Sequence, residues 1–419
     1  MKLFSHTANI LWRFLPFWIF MIFFKFGGGL HYSLLSPLGE KVLPLWVIGV
    51  LMGAASIAQL LLDVPAGRIL DKYGYRKFLK VTTFIFLFAA ICFLFGFTKQ
   101  TYLISLLISV FGWLFFGPGV NAYILSHAPK ESAGRFISLR DVSGSIGIVL
   151  SSSVLPFVLL FTPEFMGALI FIILAIAFIM LFLSPKDNVS VHTEIKLPTH
   201  YHYIKRSPLI STIKAIKKLN PASTMLLLLD LSGSIFYGII WFVVPLVIAH
   251  QANSGLLGVG LAVFDLSIVV LGFMLGNLAD KSDKRTMVFF GILLFSVSGM
   301  LLGFNFGWLF IIFGFLATTG DEMAGISLWS WLHSLDKQHD QDGMISGVIN
   351  LFQDLGWAIG PIVAGILYSL IGPSWTILIG ALPIFIVWLF YQLVLRHHHI
   401  HVKHLLQIPA KPHRMRHKS

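Results

Sequence analysis

The sequence predicts an all-α integral membrane protein, with twelve transmembrane helices in two pseudo-symmetric six-helix halves and both termini cytoplasmic. Three observations carry that reading. The chain is 57% hydrophobic and only 11% charged, with a mean hydropathy of +0.85, far outside the range of soluble domains. Apolar runs of about 20 residues, enough to cross roughly 30 Å of hydrocarbon, follow one another from end to end. A motif also recurs at half-chain distance. Gly67, Asp71 and Arg76 return as Gly276, Asp280 and Arg285 with a constant offset of 209 residues. Gly134 with Gly343, and Gly147 with Gly356, keep the same register. A shared offset in two distant regions indicates duplication of a whole half.

The runs fall at 12–36, 44–70, 78–97, 102–126, 137–161 and 165–184 in the first half. Those of the second half fall at 222–248, 256–279, 286–304, 307–333, 344–370 and 374–395. In lipid every backbone polar group must be satisfied within its own segment, so each run is expected to be a helix. Residues 1–184 and 222–395 are thus the two halves. The basic segment 185–221 joins them, and 396–419 is a basic, histidine-rich cytoplasmic tail. Within the connector, Leu209, Ile210, Ile213 and Ile216 share one helical face, with Lys214, Lys217 and Lys218 elsewhere. That pattern suits an amphipathic helix on the inner membrane surface or a solvated connector.

Orientation follows from charge. With the N-terminus inside, 27 of the 30 Lys and Arg residues fall on the cytoplasmic side. Only Lys41 and Lys99 fall outside, and Lys25 lies within the first helix. The positive-inside rule therefore places both termini in the cytoplasm. The net charge of +12 reflects topology and anionic lipid, and nucleic acid is not an expected partner. The first run is too long for a cleavable signal and lacks a small-residue cleavage site. The single cysteine, Cys92, excludes an intrachain disulfide. Seven histidines crowd the tail without an acidic residue or a ligand pair at helical spacing, so no metal is expected. No His-Glu-x-x-His, Gly-x-Ser-x-Gly or phosphate-binding Gly-x-x-x-x-Gly-Lys motif occurs, which argues against an enzyme or an ATP-driven pump.

The stretch Gly67-Arg68-Ile69-Leu70-Asp71-Lys72-Tyr73-Gly74-Tyr75-Arg76-Lys77 resembles the loop signature of the major facilitator superfamily. That family is built of two six-helix halves. The resemblance covers nearly the whole chain and implies a secondary transporter working by alternating access. It assigns Gly67, Arg68, Asp71, Gly74, Arg76 and Lys77, with Gly276, Asp280 and Arg285, to a cytoplasmic latch between the halves. The same residues could equally serve as topology determinants and turn glycines. Two departures stand out. Proton-driven members often carry an arginine four residues before a Gly-x-Gly in the fourth helix. Here Gly117-Pro118-Gly119 is present but the arginine position is Trp113. The antiporter glycine-proline pattern is missing from helix five and survives in helix eleven as Gly356, Gly360-Pro361 and Gly365.

Charges inside the bilayer cost about 3 kcal/mol each on insertion scales, so each is a functional candidate. Lys25, Asp230, Asp265, Asp321, Glu322 and Asp354 lie well inside the runs. The resemblance places helices 1, 4, 7 and 10 around a central cavity, with 2, 5, 8 and 11 beside them. Runs 3, 6, 9 and 12 hold no central charge. Five carboxylates sharing one low-dielectric cavity repel, so at least one is expected to hold a proton part of the time. Asp321 and Glu322, then Asp230, lead as proton-coupling candidates, followed by Asp265 and Asp354. Buried ion pairing is the alternative for each. Adjacent residues point about 100° apart, so one of Asp321 and Glu322 is expected to face the cavity. Lys25, His31, Tyr32, Asn121, Tyr237, Trp241, Trp329, Asn350 and Gln353 are candidate cargo contacts. Asp63 and Asp141 read as gate or cap residues. Gly27-Gly28-Gly29 could bend the first helix or pack it. The expected function is proton-coupled export of a small organic solute across the cell membrane, of the bacterial inner-membrane type. Uptake of a sugar or other metabolite, and a transport-inactive sensor, are the alternatives. A monomer without cofactor is expected.

Overall fold

The computed structural model describes residues 12–127, 133–186, 221–250, 254–304, 307–335 and 342–405. Side chains of some helical residues, among them 63–73, Asp280 and Trp329, are outside that description. So are most of the connector and the tail beyond 405, including the amphipathic helix expected there.

The chain runs through α1 (Leu15–Glu40), α2 (Leu45–Tyr73), α3 (Tyr75–Leu94), α4 (Lys99–His127), α5 (Ala133–Val158) and α6 (Pro163–Leu183). The second half begins with α7 (Pro221–His250), α8 (Ser254–Lys281), α9 (Lys284–Leu302) and α10 (Trp308–Leu335). A final helical stretch, Asp342–Leu405, is interrupted at Gly372 (φ 78, ψ 177). Such a backbone is accessible to glycine, and Pro373 then opens the next helix, so the stretch is two helices, α11 and α12. Ten helical stretches are long and apolar enough to cross a membrane. One of the ten, Val348–Leu393, spans both α11 and α12, and α8 adds a shorter apolar run, Leu257–Gly272. The total is the twelve spans expected.

Boundaries differ where local chemistry overrides hydropathy. The loop expected between the second and third spans shrinks to Gly74, whose φ of 92 lets α2 fold directly into α3. At the other end, α12 continues to Leu405, through ten residues read from sequence as tail. No Pro or Gly stands between Pro383 and Pro409 to stop it. Gly27-Gly28-Gly29 sit at close approaches of α1 to its neighbours. They pack it, against Leu174, Trp113 and Ser151 respectively, letting neighbours approach closely.

The two halves repeat their packing as well as their sequence. A Cβ on Gly147 would lie 3.0 Å from the Phe26 nitrogen, where α5 meets α1. One on Gly356 would lie 2.9 Å from the Ile235 nitrogen, where α11 meets α7. Phe26 and Ile235 are themselves 209 apart. The same holds for Gly29 on Ser151 and Gly238 on Gly360. The duplication seen in sequence is therefore a repeated helix-helix contact.

The halves meet mainly through α2 on α11 and α5 on α8, with α1 against α7 between them. Gly365 would place a Cβ 2.6 Å from the Leu45 carbonyl oxygen, Gly49 one 3.3 Å from the Gly365 Cα, and Gly258 one 3.2 Å from the Ser152 carbonyl oxygen. Ser36 donates to the Phe242 carbonyl at 2.9 Å, and Glu40 pairs with His250 at 3.0 Å. All of these lie at the end of the bundle away from the N-terminus, called here the far end. Towards the opposite, basic end, Gly117, Gly272, Gly276 and Gly325 have no neighbouring atom within 4 Å of a Cβ among the described residues.

Candidate functional site: a charged cavity between the halves

Between the halves lies a chamber of two overlapping lobes, about 580 Å³ towards the far end and about 770 Å³ towards the basic end. These volumes suit a small organic ligand. Among the described residues the lining comes from α1, α2, α4, α5, α7, α8, α10 and α11, and none from α3, α6, α9 or α12. Every helix with a central charge thus contributes to the lining, together with α2, α4 and α5.

Lys25 reaches both lobes. Its stem crosses Gly144 and Gly147 of α5, which have no side chain to exclude it. Its ammonium sits 5.0 Å from the Trp113 ring centroid and 5.2 Å from that of Phe116. A desolvated cation on an aromatic face gains about 2 kcal/mol. Trp113 therefore occupies the position where an arginine would be expected and instead supports a lysine from the neighbouring helix.

The opposite wall is acidic. Asp265 and Glu322 line both lobes, and Asp321 and Asp354 line the far one. Both members of the Asp321–Glu322 pair reach the chamber, correcting the expectation of one. A space that wraps around α10 admits directions 100° apart. Asp321 faces Tyr237, which lines the far lobe with Tyr32 and Trp241. Asn121 and Gln353 line the basic-end lobe with Asp141. Arg140 bonds Asp141 at 2.7 Å and also donates to the Asn121 side-chain oxygen. Asp141 is half-exposed there, at the mouth.

Other residues stand elsewhere. Asp230 lies behind the wall: Gln353 donates to its Oδ1 at 3.2 Å, while its Oδ2 is buried without a partner. His31 is not in the cavity. It is buried beside Ser105 (2.9 Å) and stacked on Phe93, and since Ser105 donates its own proton to the Ala89 carbonyl, His31 Nε2 is the donor. Asn350 is exposed and outside the lining. The side chains of Trp329, Asp63, Arg68, Asp71 and Asp280 lie outside the described residues.

Arg76 makes two contacts within its own half. Its guanidinium donates to the Leu181 carbonyl at 3.1 Å and to that of Phe182, capping the end of α6 within its own half. Cations are stabilised at a helix C-terminus, whose last carbonyls are unpaired. Lys80 adds a contact 3.6 Å over the Phe182 ring. Arg285 stands beside Tyr391, the position 209 residues after Phe182. The conserved register of these arginines thus has an intra-half role. Lys77, the adjoining basic residue, begins α3 next to this cap.

Gln59, Ser56, Phe116, Arg140 and Trp357 line the chamber and went unselected in the sequence. The repeat was a signal that could have found Ser56, the counterpart of Asp265 at a distance of 209 residues, just as Trp113 is the counterpart of Glu322 and Tyr32 of Trp241.

A sequence profile described as the Major Facilitator Superfamily matches residues 10–361 and 226–415. The chain belongs to the major facilitator superfamily. Among its relatives within this superfamily is Multidrug resistance protein 2 of Bacillus subtilis, 22% identical over 77% of this chain and 80% of the relative. An uncharacterized MFS-type transporter of Methanocaldococcus jannaschii is 21% identical over 78% of this chain and 83% of the relative. Solved superfamily structures include a D-xylose–proton symporter (TM-score 0.66, 13% identity, 90% of this chain and 96% of that one). The nucleoside transporter NupG gives 0.68 at 16% identity, over 92% and 98%. This superfamily member is a multi-pass membrane transporter of small solutes, not an enzyme.

Proposed function

We propose that the chain exports a small amphiphilic or cationic organic solute by alternating access, driven by protons. The observation that carries this is the acidic wall. Asp265, Asp321, Glu322 and Asp354 share one cavity, and among the described residues none has a Lys or Arg within ion-pair distance. Carboxylates crowded without counter-ions gain from binding a proton or a cationic cargo. Asp321 and Glu322 are the principal proton sites, and Asp230, buried with one free oxygen, is the next. The halves pack backbone to backbone at the far end, and the larger lobe lies towards the basic end, which supports loading from the side carrying the termini, the cytoplasm.

Uptake of a sugar or other metabolite is the second reading. It is favoured by the amide groups of Gln59, Asn121 and Gln353 and the hydroxyl of Ser145 along the basic-end lobe. Purified protein in liposomes, assayed with and without an imposed pH gradient, separates the two. Export coupling requires flux to follow the gradient in exchange for protons. Asp321→Asn, Glu322→Gln and Asp230→Asn, made singly, should each reduce gradient-driven flux. Unchanged flux in all three would remove the proton assignment.

A further inference from the structure

We infer that the cavity selects a zwitterion: an aromatic molecule with a cationic group and a separate carboxylate-like anionic group. This rests on the transporter reading and names its cargo class. Lys25 is the deciding residue. A buried ammonium is expensive unless paired, yet among the described residues no carboxylate stands within ion-pair distance of it. Its contacts are the Trp113 and Phe116 rings and the backbone notch at Gly144 and Gly147. These hold the stem and one face of the charge while leaving the remaining ammonium protons for a guest. Asp265 and Glu322 share the chamber with it; Asp265 feels its charge across the cavity, and among the described residues neither has a cation within ion-pair distance.

A chamber that holds an unpaired cation on one half and unpaired carboxylates on the other is not complementary to a simple cation. A monocation would satisfy the acidic wall and leave Lys25 exposed to its repulsion. A molecule carrying both charges satisfies both walls and bridges the halves at once. Trp241, Tyr237, Tyr32 and Trp357 between the walls suit an aromatic body. The repeat sharpens the point. The position equivalent to Lys25 is Ser234, and that equivalent to Trp113 is Glu322, so the charge polarity is an asymmetry imposed on a symmetric frame.

Two dyes test this on the purified full-length protein: rhodamine B, which carries a carboxylate and a cation, and its ethyl ester, which keeps the cation alone. Fluorescence anisotropy, referenced to protein-free micelles, reads binding. A charge-assisted contact to Lys25 should favour the acid by about tenfold. Lys25→Met should bring the two dyes within about twofold, and Lys25→Arg should restore the preference. Glu322→Gln should weaken both dyes alike. Thermal unfolding and gel-filtration profiles establish that each variant is folded. The assignment is overturned if the ester binds as well as the acid, if the preference survives Lys25→Met, or if rhodamine B does not bind. Liposome flux separates the two readings. A binding preference without flux sinks the transport reading alone, and flux of both dyes without preference sinks this one alone.

Discussion

The two walls of the cavity are built on one plan and carry opposite chemistry. Gly147 seats α5 on α1 as Gly356 seats α11 on α7, so both halves aim the same positions at the chamber. At those positions the first half offers Trp113, Ser56 and Ser145 where the second offers Glu322, Asp265 and Asp354, and Lys25 lines the chamber while its counterpart Ser234 packs against Gly356. Packing glycines have been kept through the duplication and cavity side chains have not. The difference teaches which residues belong to the frame and which to the cargo.

Erasing the polarity should have the largest effect. Lys25→Glu makes both walls acidic and leaves a carboxylate against the Trp113 face, whose π-cloud repels it. Transport should fall at least a hundredfold in liposomes; flux near the wild-type level would show that polarity is irrelevant. Next come the matched glycines. Gly147→Leu and Gly356→Leu each drive a side chain into the neighbouring backbone and should cost about 1–3 kcal/mol or more, read as lowered thermal stability of similar size. A large effect at only one would break the equivalence of the frames. Glu322→Gln alters the chemistry without the frame, with an expected tenfold loss of driven flux and little change in unfolding temperature.

Arg76→Ala and His31→Ala should act on stability, each by about 1–2 kcal/mol through lost hydrogen bonds to buried or helix-end partners, while cargo preference stays as it was. A changed preference in either would return that residue to the transport site. Asn350→Ala, exposed and outside the lining, should change neither measurement.

Twelve spans, two halves and the charged cavity wall could be read from the chain because each leaves a one-dimensional trace. Twenty apolar residues, a constant offset and a carboxylate inside a span need no partner to be noticed. Facing direction leaves no such trace. Helices that are apolar all round lack the amphipathic stripe that tells inside from outside. His31 and Tyr32 are neighbours in sequence, yet one packs into α3 and α4 and the other lines the cavity. Arg76 shows the same limit. Two of its partners are backbone carbonyls of α6, which every sequence supplies and none advertises. Gln59 and Trp357 carry no charge to single them out, and only their place on the wall gives them a role.

The far-end seam has a consequence for how this molecule moves. Where α2 meets α11, Gly49, Gly53 and Gly365 bring the helices into close approach, with the Pro361, Ala358 and Leu45 carbonyls and the Ile362 side chain in the space their Cβ atoms would fill. Such a joint tolerates little partial separation, because dispersion contacts fade within an ångström of parting. Opening should therefore resemble a snap fastener more than a sliding door: shut and watertight, or fully apart. A carrier with that joint keeps ions from seeping past it during the turn.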